Sequence, residues 1–311
     1  MSTTAPPVTA AEPPLQPGPP FKDKSADIII RSSDGADFYV SRAVLSLASP
    51  LFTDMFSIPQ PESEPEVPVI AVTELSHRFD LFLRVWYPGA EAAAFGGLEQ
   101  LADITELALS KYDMQFLTPV LQTHIQAYLE TEPVAVYAVA CQYKWGDIAK
   151  MAARRCLKLH LNSLFLPDMS RYLRNISAHH YLALLVYHHA CGAAASSAAR
   201  LLPWGKAEWA WIACVSCTAY TLQYNVPGLT GQRIPRAWIF DYLDRAGVLL
   251  QGTPGANLLE PAFLAPSQEK AAACMSHCRS SGFKHLAQFI VEDCVPAVNE
   301  AINGVSLEID F

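Results

Sequence analysis

Four of the eight cysteines fall into two short clusters. Cys214-Val215-Ser216-Cys217 is a C-x-x-C pair, and Cys274-Met275-Ser276-His277-Cys278 sets two more thiols either side of three residues that include His277. Zinc takes Cys and His ligands and needs only four, so two thiolate pairs meeting in space would close a tetrahedral structural site. The chemistry to look for is therefore a structural zinc at Cys214, Cys217, Cys274 and Cys278, with His277 as a substitute ligand. A competing reading treats the four as free cysteines buried like small apolar residues. It draws on the long interval between the pairs and on the C-x3-C spacing, which is less usual than C-x-x-C. A redox dithiol at Cys214 is disfavoured because no βαβ pattern surrounds it. No cofactor other than zinc is expected.

The histidine pairs His179-His180 and His188-His189 invite a second metal reading. Helical zinc sites place ligands about one turn apart, whereas His180 and His188 lie two turns apart with Leu184 between them. Exposed or core-edge histidines are the better account. The sequence has no G-x-S-x-G, no G-x-x-x-x-G-K-[ST], no strand-linked G-x-G-x-x-G and no H-E-x-x-H. No residue is assigned a catalytic role, and the chain reads as a non-enzyme.

With 311 residues, 51% of them hydrophobic and 17% charged, the chain can bury the cores of about two domains. Its net charge is −8 and no Lys/Arg cluster appears, so nucleic acid is not an expected partner. Residues 1–20 carry three Pro-Pro pairs and no basic-plus-apolar signal, which predicts a disordered leader and reduced cysteines in the cytoplasm or nucleus. Two stretches free of Lys, Arg, Asp and Glu, 175–199 and 210–232, hold too many polar and small residues for a membrane span and read as buried helices.

The elements that must position these residues begin at Phe21. Asp27-Ile28-Ile29-Ile30, the turn Ser33-Asp34-Gly35 and Asp37-Phe38-Tyr39-Val40 predict a β-hairpin. Ser41 can cap a short helix, and Pro50 opens a second that carries Leu51, Phe52, Met55 and Phe56. The Pro- and Glu-rich stretch 57–68 reads as an exposed acidic loop, followed by a strand at Val69-Ile70-Ala71-Val72. Ser76 can cap a helix bearing Phe79, Phe82, Leu83 and Trp86, stopped by Pro88-Gly89. Two further helices carry Leu98, Leu101, Ala102 and Thr105, then Leu117, Leu121, Ile125 and Tyr128.

The order of these residues resembles the BTB/POZ family. The resemblance is carried by Ala26 to Ile30, by Phe38-Tyr39-Val40-Ser41-Arg42-Ala43-Val44-Leu45, by Leu47-Ala48-Ser49-Pro50-Leu51-Phe52, and by Met55-Phe56. The helix end Leu83 to Tyr87 with Pro88-Gly89 agrees, as does Ala108-Leu109-Ser110-Lys111-Tyr112-Asp113-Met114. More narrowly, Met55-Phe56-Ser57-Ile58-Pro59-Gln60-Pro61 followed by Pro68-Val69-Ile70 is similar to the BTB proteins of basidiomycete fungi.

The resemblance implies an α+β fold, with an N-terminal BTB/POZ-like domain of small sheet and helical hairpins over residues 21–130. A mainly helical region, 131–311, would follow and end in a short strand. It implies protein partners met through the BTB-like surface: an adaptor or scaffold, with a cullin-type ubiquitin ligase among the partners. The alternative is a BTB-type transcription or chromatin regulator without its own DNA-binding domain. Three departures bear on this. Arg42 stands where the family has His, the leader lacks the helix exchanged in BTB homodimers, and the acidic loop holds no clean hydrophobic-x-Glu motif. Homodimerisation and cullin recruitment both stay open.

Beyond Thr131, Glu132-Pro133 opens a helix with Val134, Tyr137, Ala138 and Cys141 on one face. Asp147 can cap the next, with Ile148, Met151, Ala152, Cys156 and Leu159 inward. The aromatics Trp204, Trp209, Trp211, Tyr220, Tyr224 and Trp238 read as core before they read as a binding pocket. Phe283, Leu286, Phe289 and Ile290 form a helical stripe interrupted by Pro296. Val305, Leu307, Ile309 and Phe311 alternate with polar residues as in a half-buried strand.

Overall fold

The hairpin forms from β1 (Ile28–Arg31) and β2 (Asp37–Val40), paired antiparallel with Ile28 opposite Val40. Alternation puts Ile28, Ile30, Phe38 and Val40 on the buried face. Gly35, at φ 91°, supplies the left-handed backbone that the connecting turn requires. β3 (Val69–Ala71) adds parallel to β1, giving the sheet order β2-β1-β3. The structure is a computed structural model that describes residues 13–58, 67–165, 170–201, 206–220, 224–225 and 232–311. It divides into two compact units, Met1–Tyr128 and Leu129–Phe311.

The first unit packs its sheet with α1 (Arg42–Ala48), α2 (Pro50–Ser57), α3 (Ser76–Arg84), α4 (Leu98–Glu106) and α5 (Thr118–Gln126). Two helix starts differ from the sequence reading. Ser41 holds the N-cap position of α1 but makes no side-chain cap bond; the Arg42 N–H donates instead to Asp27 Oδ1, 2.8 Å away at the edge of β1. Ser76 is the first residue of α3 rather than its cap. Its N–H and Oγ donate to the two oxygens of Asp34, at 2.9 and 2.6 Å. A cap needs only an acceptor in the right place, and a carboxylate from a distant turn serves as well as a local serine.

The Pro-rich leader also differs from Pro13 onward, because Leu15 N–H donates to Ser76 Oγ at 2.8 Å and Phe21 is buried beside Phe38 and Tyr87. Residues 1–12, the remainder of the expected leader, lie outside the described residues, as do 59–66 of the acidic loop.

The aromatic residues of this unit have a packing explanation. Tyr112 lies between Phe52 and Phe82, with ring centroids 4.9 and 5.0 Å away and all three rings near parallel. Its hydroxyl donates to Glu74 Oε2 at 3.0 Å, and the Lys111 ammonium pairs with the other oxygen of the same buried carboxylate. Burial, then the Glu74 charge, pushes the Tyr112 phenol far above its usual range. Ser49 Oγ donates to the Tyr112 carbonyl at 2.6 Å, which ties the start of α2 to the same point.

The second unit is mainly helical, with α6 (Pro133–Gln142), α7 (Gly146–Cys156), α8 (Ser170–Leu173), α9 (Ala178–Leu201), α10 (Ala210–Ala213), α11 (Ala237–Gly252), α12 (Pro261–Ala272), α13 (Phe283–Phe289) and α14 (Val295–Asn303). α6 is buried all round from Pro133 to Cys141 rather than along one face, and Met151 of α7 points outward. Asp147 sits in the first turn of α7, beyond the N-cap Trp145, where its charge suits the helix dipole without capping. Ser177 does cap α9, its Oγ accepting the His180 N–H at 3.1 Å.

α9 packs against both α11 and α14. Its small residues permit this: a Cβ at Gly192 would stand 2.4 Å from the Gln251 carbonyl oxygen of α11. The run 283–303 stays helical through Pro296, which falls in the first turn of α14 where its missing N–H costs nothing; a π-helical turn at 290–294 joins α13 to α14. The C-terminal tail alternates half-buried Val305, Leu307 and Ile309 with exposed residues, but it forms no strand; it is pinned by Asp310 O against His180 Nε2 at 3.0 Å.

Candidate metal centre

The four cysteines singled out by spacing come together. The sulfurs of Cys214, Cys217, Cys274 and Cys278 all lie within 4.8 Å of one another. Cys214 Sγ is 3.5 Å from Cys274 Sγ and 3.8 Å from Cys217 Sγ, and none of the four is in a disulfide. Cys214, Cys274 and Cys278 are buried and Cys217 is half-buried.

Two tight turns present them. The first leaves α10 at Cys214, where the Ser216 N–H donates to Cys214 Sγ at 3.4 Å; the second leaves α12 at Cys274, where the Ser276 N–H donates to Cys274 Sγ at 3.3 Å. Each turn thus points backbone N–H groups at the leading sulfur of its pair. Cys278 opens a π-helical turn (Cys278–Gly282), and its sulfur receives Trp238 Nε1–H at 3.4 Å and lies 3.6 Å from the Ala210 carbonyl. Arg236 donates to the Cys217 carbonyl at 2.9 Å, and its own N–H to the Trp211 carbonyl at 3.0 Å, which brings the chain back to α11.

An aromatic floor supports the turns. Trp209 and Trp211 stack at 5.1 Å, Trp238 meets Trp211 edge-on at 5.5 Å, and Phe289 closes on both tryptophans. All four rings are buried, so these aromatics are core. Tyr220 stacks on Phe240 at 3.7 Å; Trp204 and the side chain of Tyr224 lie outside the described residues.

The sulfurs differ electrostatically. Burial pushes the Cys214 thiol up, but the N–H groups of Cys217 and Ser216 and the neighbouring thiols outweigh it and hold the group down at about 6. Cys274 is likewise lowered, with burial again opposed by hydrogen bonds from Cys217 and the Ser276 backbone. Burial raises Cys278 to about 12, and burial together with the neighbouring thiols raises Cys217 further.

His277, the substitute ligand by sequence, is exposed, with Nδ1 2.9 Å from Ser276 Oγ; Cys278 supplies the fourth sulfur instead. The histidine pairs of α9 belong to no metal-ligating group among the described residues. His188 is fully buried with Nε2 3.0 Å from the Leu159 carbonyl, the core role its neighbours allow. What the sequence did not announce is the open cleft of about 660 Å³ beside the thiols, lined by Cys217, Trp238, Asp241, Lys270, Cys274 and Met275. No short motif marks it, because its walls come from three separate segments.

No helix among the described residues is long and apolar enough to cross a membrane. Residues 20–129 match the family model of the BTB/POZ domain, and the chain carries a BTB/POZ domain over that span. No curated protein matches the chain.

Proposed function

We propose that this BTB/POZ-domain chain is an adaptor of the cytoplasm or nucleus, whose first unit engages a cullin-type scaffold while its helical second unit selects a client. The BTB/POZ domain is a protein–protein interaction module. The observation that supports an adaptor is that this module is followed by a second compact unit, Leu129–Phe311, larger than the domain itself. Two interaction-capable bodies on one chain are what bridging requires.

On the first unit, Phe116 and Val120 stand one helical turn apart around the start of α5, 56% and 42% exposed. Neighbouring exposed apolar residues on one helical face offer a contact for a partner. We place the chain among the basidiomycete fungal BTB proteins on the Met55 to Ile58 segment; Pro59, Gln60 and Pro61 of that motif lie outside the described residues.

The test is affinity purification of the tagged full-length chain alongside its Phe116→Asp/Val120→Asp variant. Recovery of a cullin scaffold by the parent and its loss in the variant, with an unchanged thermal melt, is the expected result. Recovery of nuclear co-repressors in place of a cullin would overturn the adaptor reading in favour of a transcriptional regulator.

A further inference from the structure

We infer that Cys214, Cys217, Cys274 and Cys278 form a mononuclear zinc site that staples the second unit. The inference stands apart from the adaptor reading, because it rests on the second unit alone.

Geometry carries it. A zinc ion held by four thiolates at about 2.3 Å requires sulfur-to-sulfur edges of about 3.8 Å. Two of the separations here are 3.5 and 3.8 Å, and all four sulfurs lie within 4.8 Å of one another. A disulfide would need two sulfurs at about 2.05 Å, far inside these distances. An iron–sulfur cluster must fit several irons and sulfides between its cysteines. Four sulfurs this close leave room for a single ion.

The surroundings point the same way. Ser216 and Ser276 occupy the same place in the two turns, two residues after the leading cysteine, and both give their backbone N–H to its sulfur. Such N–H groups stabilise a thiolate and not a thiol, since a neutral sulfur is a weak acceptor. Trp238 Nε1–H adds a third donor on Cys278, the outer-shell bond that orients a ligand. Four bare thiols would gain little from these donors, whereas four thiolates around a divalent ion use all of them. Four protein sulfurs fill the tetrahedron, which makes the site structural and leaves no open position for substrate.

The ion would also explain how the chain between the turns is held. Between Cys217 and Arg236 the described residues include a two-stranded ladder, Tyr224–Asn225 with Gln232–Arg233, and a bridge from Ala219 to Arg236. A staple at Cys214 and Cys274 ties the end of α10 to the end of α12 across a sequence separation of 60 residues. Because ligands must lose their protons and a preformed site does not exist in the unfolded chain, zinc binding here adds directly to folding.

The test uses the full-length chain purified without chelator. Elemental analysis should find about one zinc per chain. Replacement by cobalt should give the intense visible bands of a tetrahedral four-thiolate ion. His277→Ala should retain the full zinc content, whereas Cys217→Ala should lose most of it. Should Cys217→Ala fail to fold, the parent's cobalt spectrum and the lowering of its melting temperature by chelator carry the decision. A folded parent with no metal and four freely reacting thiols would overturn the inference. So would iron in place of zinc, a disulfide within the quartet, or zinc retained at full level in Cys217→Ala.

Discussion

The two units gather their polar and sulfur-bearing side chains in different ways. In the BTB/POZ unit, Glu74, Asp34 and Ser49 each find protein partners: Tyr112 and Lys111, Ser76 and Ser32, and the Tyr112 carbonyl. Those three groups are met by atoms of the same chain, while Arg78 Nε and Trp86 Nε1 are buried without a hydrogen-bond partner. The helical unit instead gathers four sulfurs that bond weakly to one another and face inward from two turns. One unit rests its polar contacts on hydrogen bonds, and the other brings four thiols to one point.

The largest effect that would sharpen this contrast is a cavity in the self-contained unit. Phe52→Ala removes one face of the Phe52–Tyr112–Phe82 stack and should cost about 3–5 kcal/mol, with Leu45→Ala at about 2–5 kcal/mol. Chemical denaturation with and without chelator should give the same loss in both cases; a loss that depends on chelator would erase the distinction between the units.

Next in size is Gly192→Ala in the helical unit, where the new methyl collides with the Gln251 carbonyl and should cost about 1–3 kcal/mol by pushing α9 from α11. A melt of this variant indistinguishable from the parent would show that the crossing is looser than the 2.4 Å approach implies.

Asp34→Ala tests whether the BTB/POZ unit depends on its long-range caps. Losing the acceptor for the Ser76 N–H and hydroxyl should cost about 1–2 kcal/mol, and Asp34→Asn should recover part of it. Equal effects of the two substitutions would argue that Asp34 acts by charge alone.

The smallest effect concerns pH. Burial holds the fully buried His188 imidazole below its ordinary value of about 6.5. The unfolded chain therefore binds a proton at higher pH than the folded one. Stability falls as pH drops through about 6.5 and levels off once the folded group also protonates. Denaturation midpoints measured between pH 7.5 and 5.5 should decline less steeply in His188→Gln. Parallel profiles would assign the slope to other groups.

Much of this was legible from residue order. The hairpin, the paired helices around Pro50 and the third strand follow from alternation, turn residues and Pro placement, all of which act over a few residues. The two cysteine clusters were visible as spacing, and with them the chemistry to look for. The caps were misread because Ser41 and Ser76 have the right local type, while the better acceptors, Asp27 and Asp34, arrive from 15 and 42 residues away. The C-terminal tail kept its alternating burial without a partner strand, since alternation specifies a half-buried extended segment and not a ladder.

The sequence by itself therefore determined what each short segment is able to be, including four thiols in two suitable pairs. Only the tertiary structure decided that the pairs meet, that the Cys278 sulfur joins the cluster while His277 is exposed, and that backbone N–H groups of Ser216 and Ser276 attend the sulfurs. The physical reason is range: dihedral preference and periodicity are settled within a few residues, whereas a cluster of four sulfurs depends on angstrom-scale convergence of segments 60 residues apart.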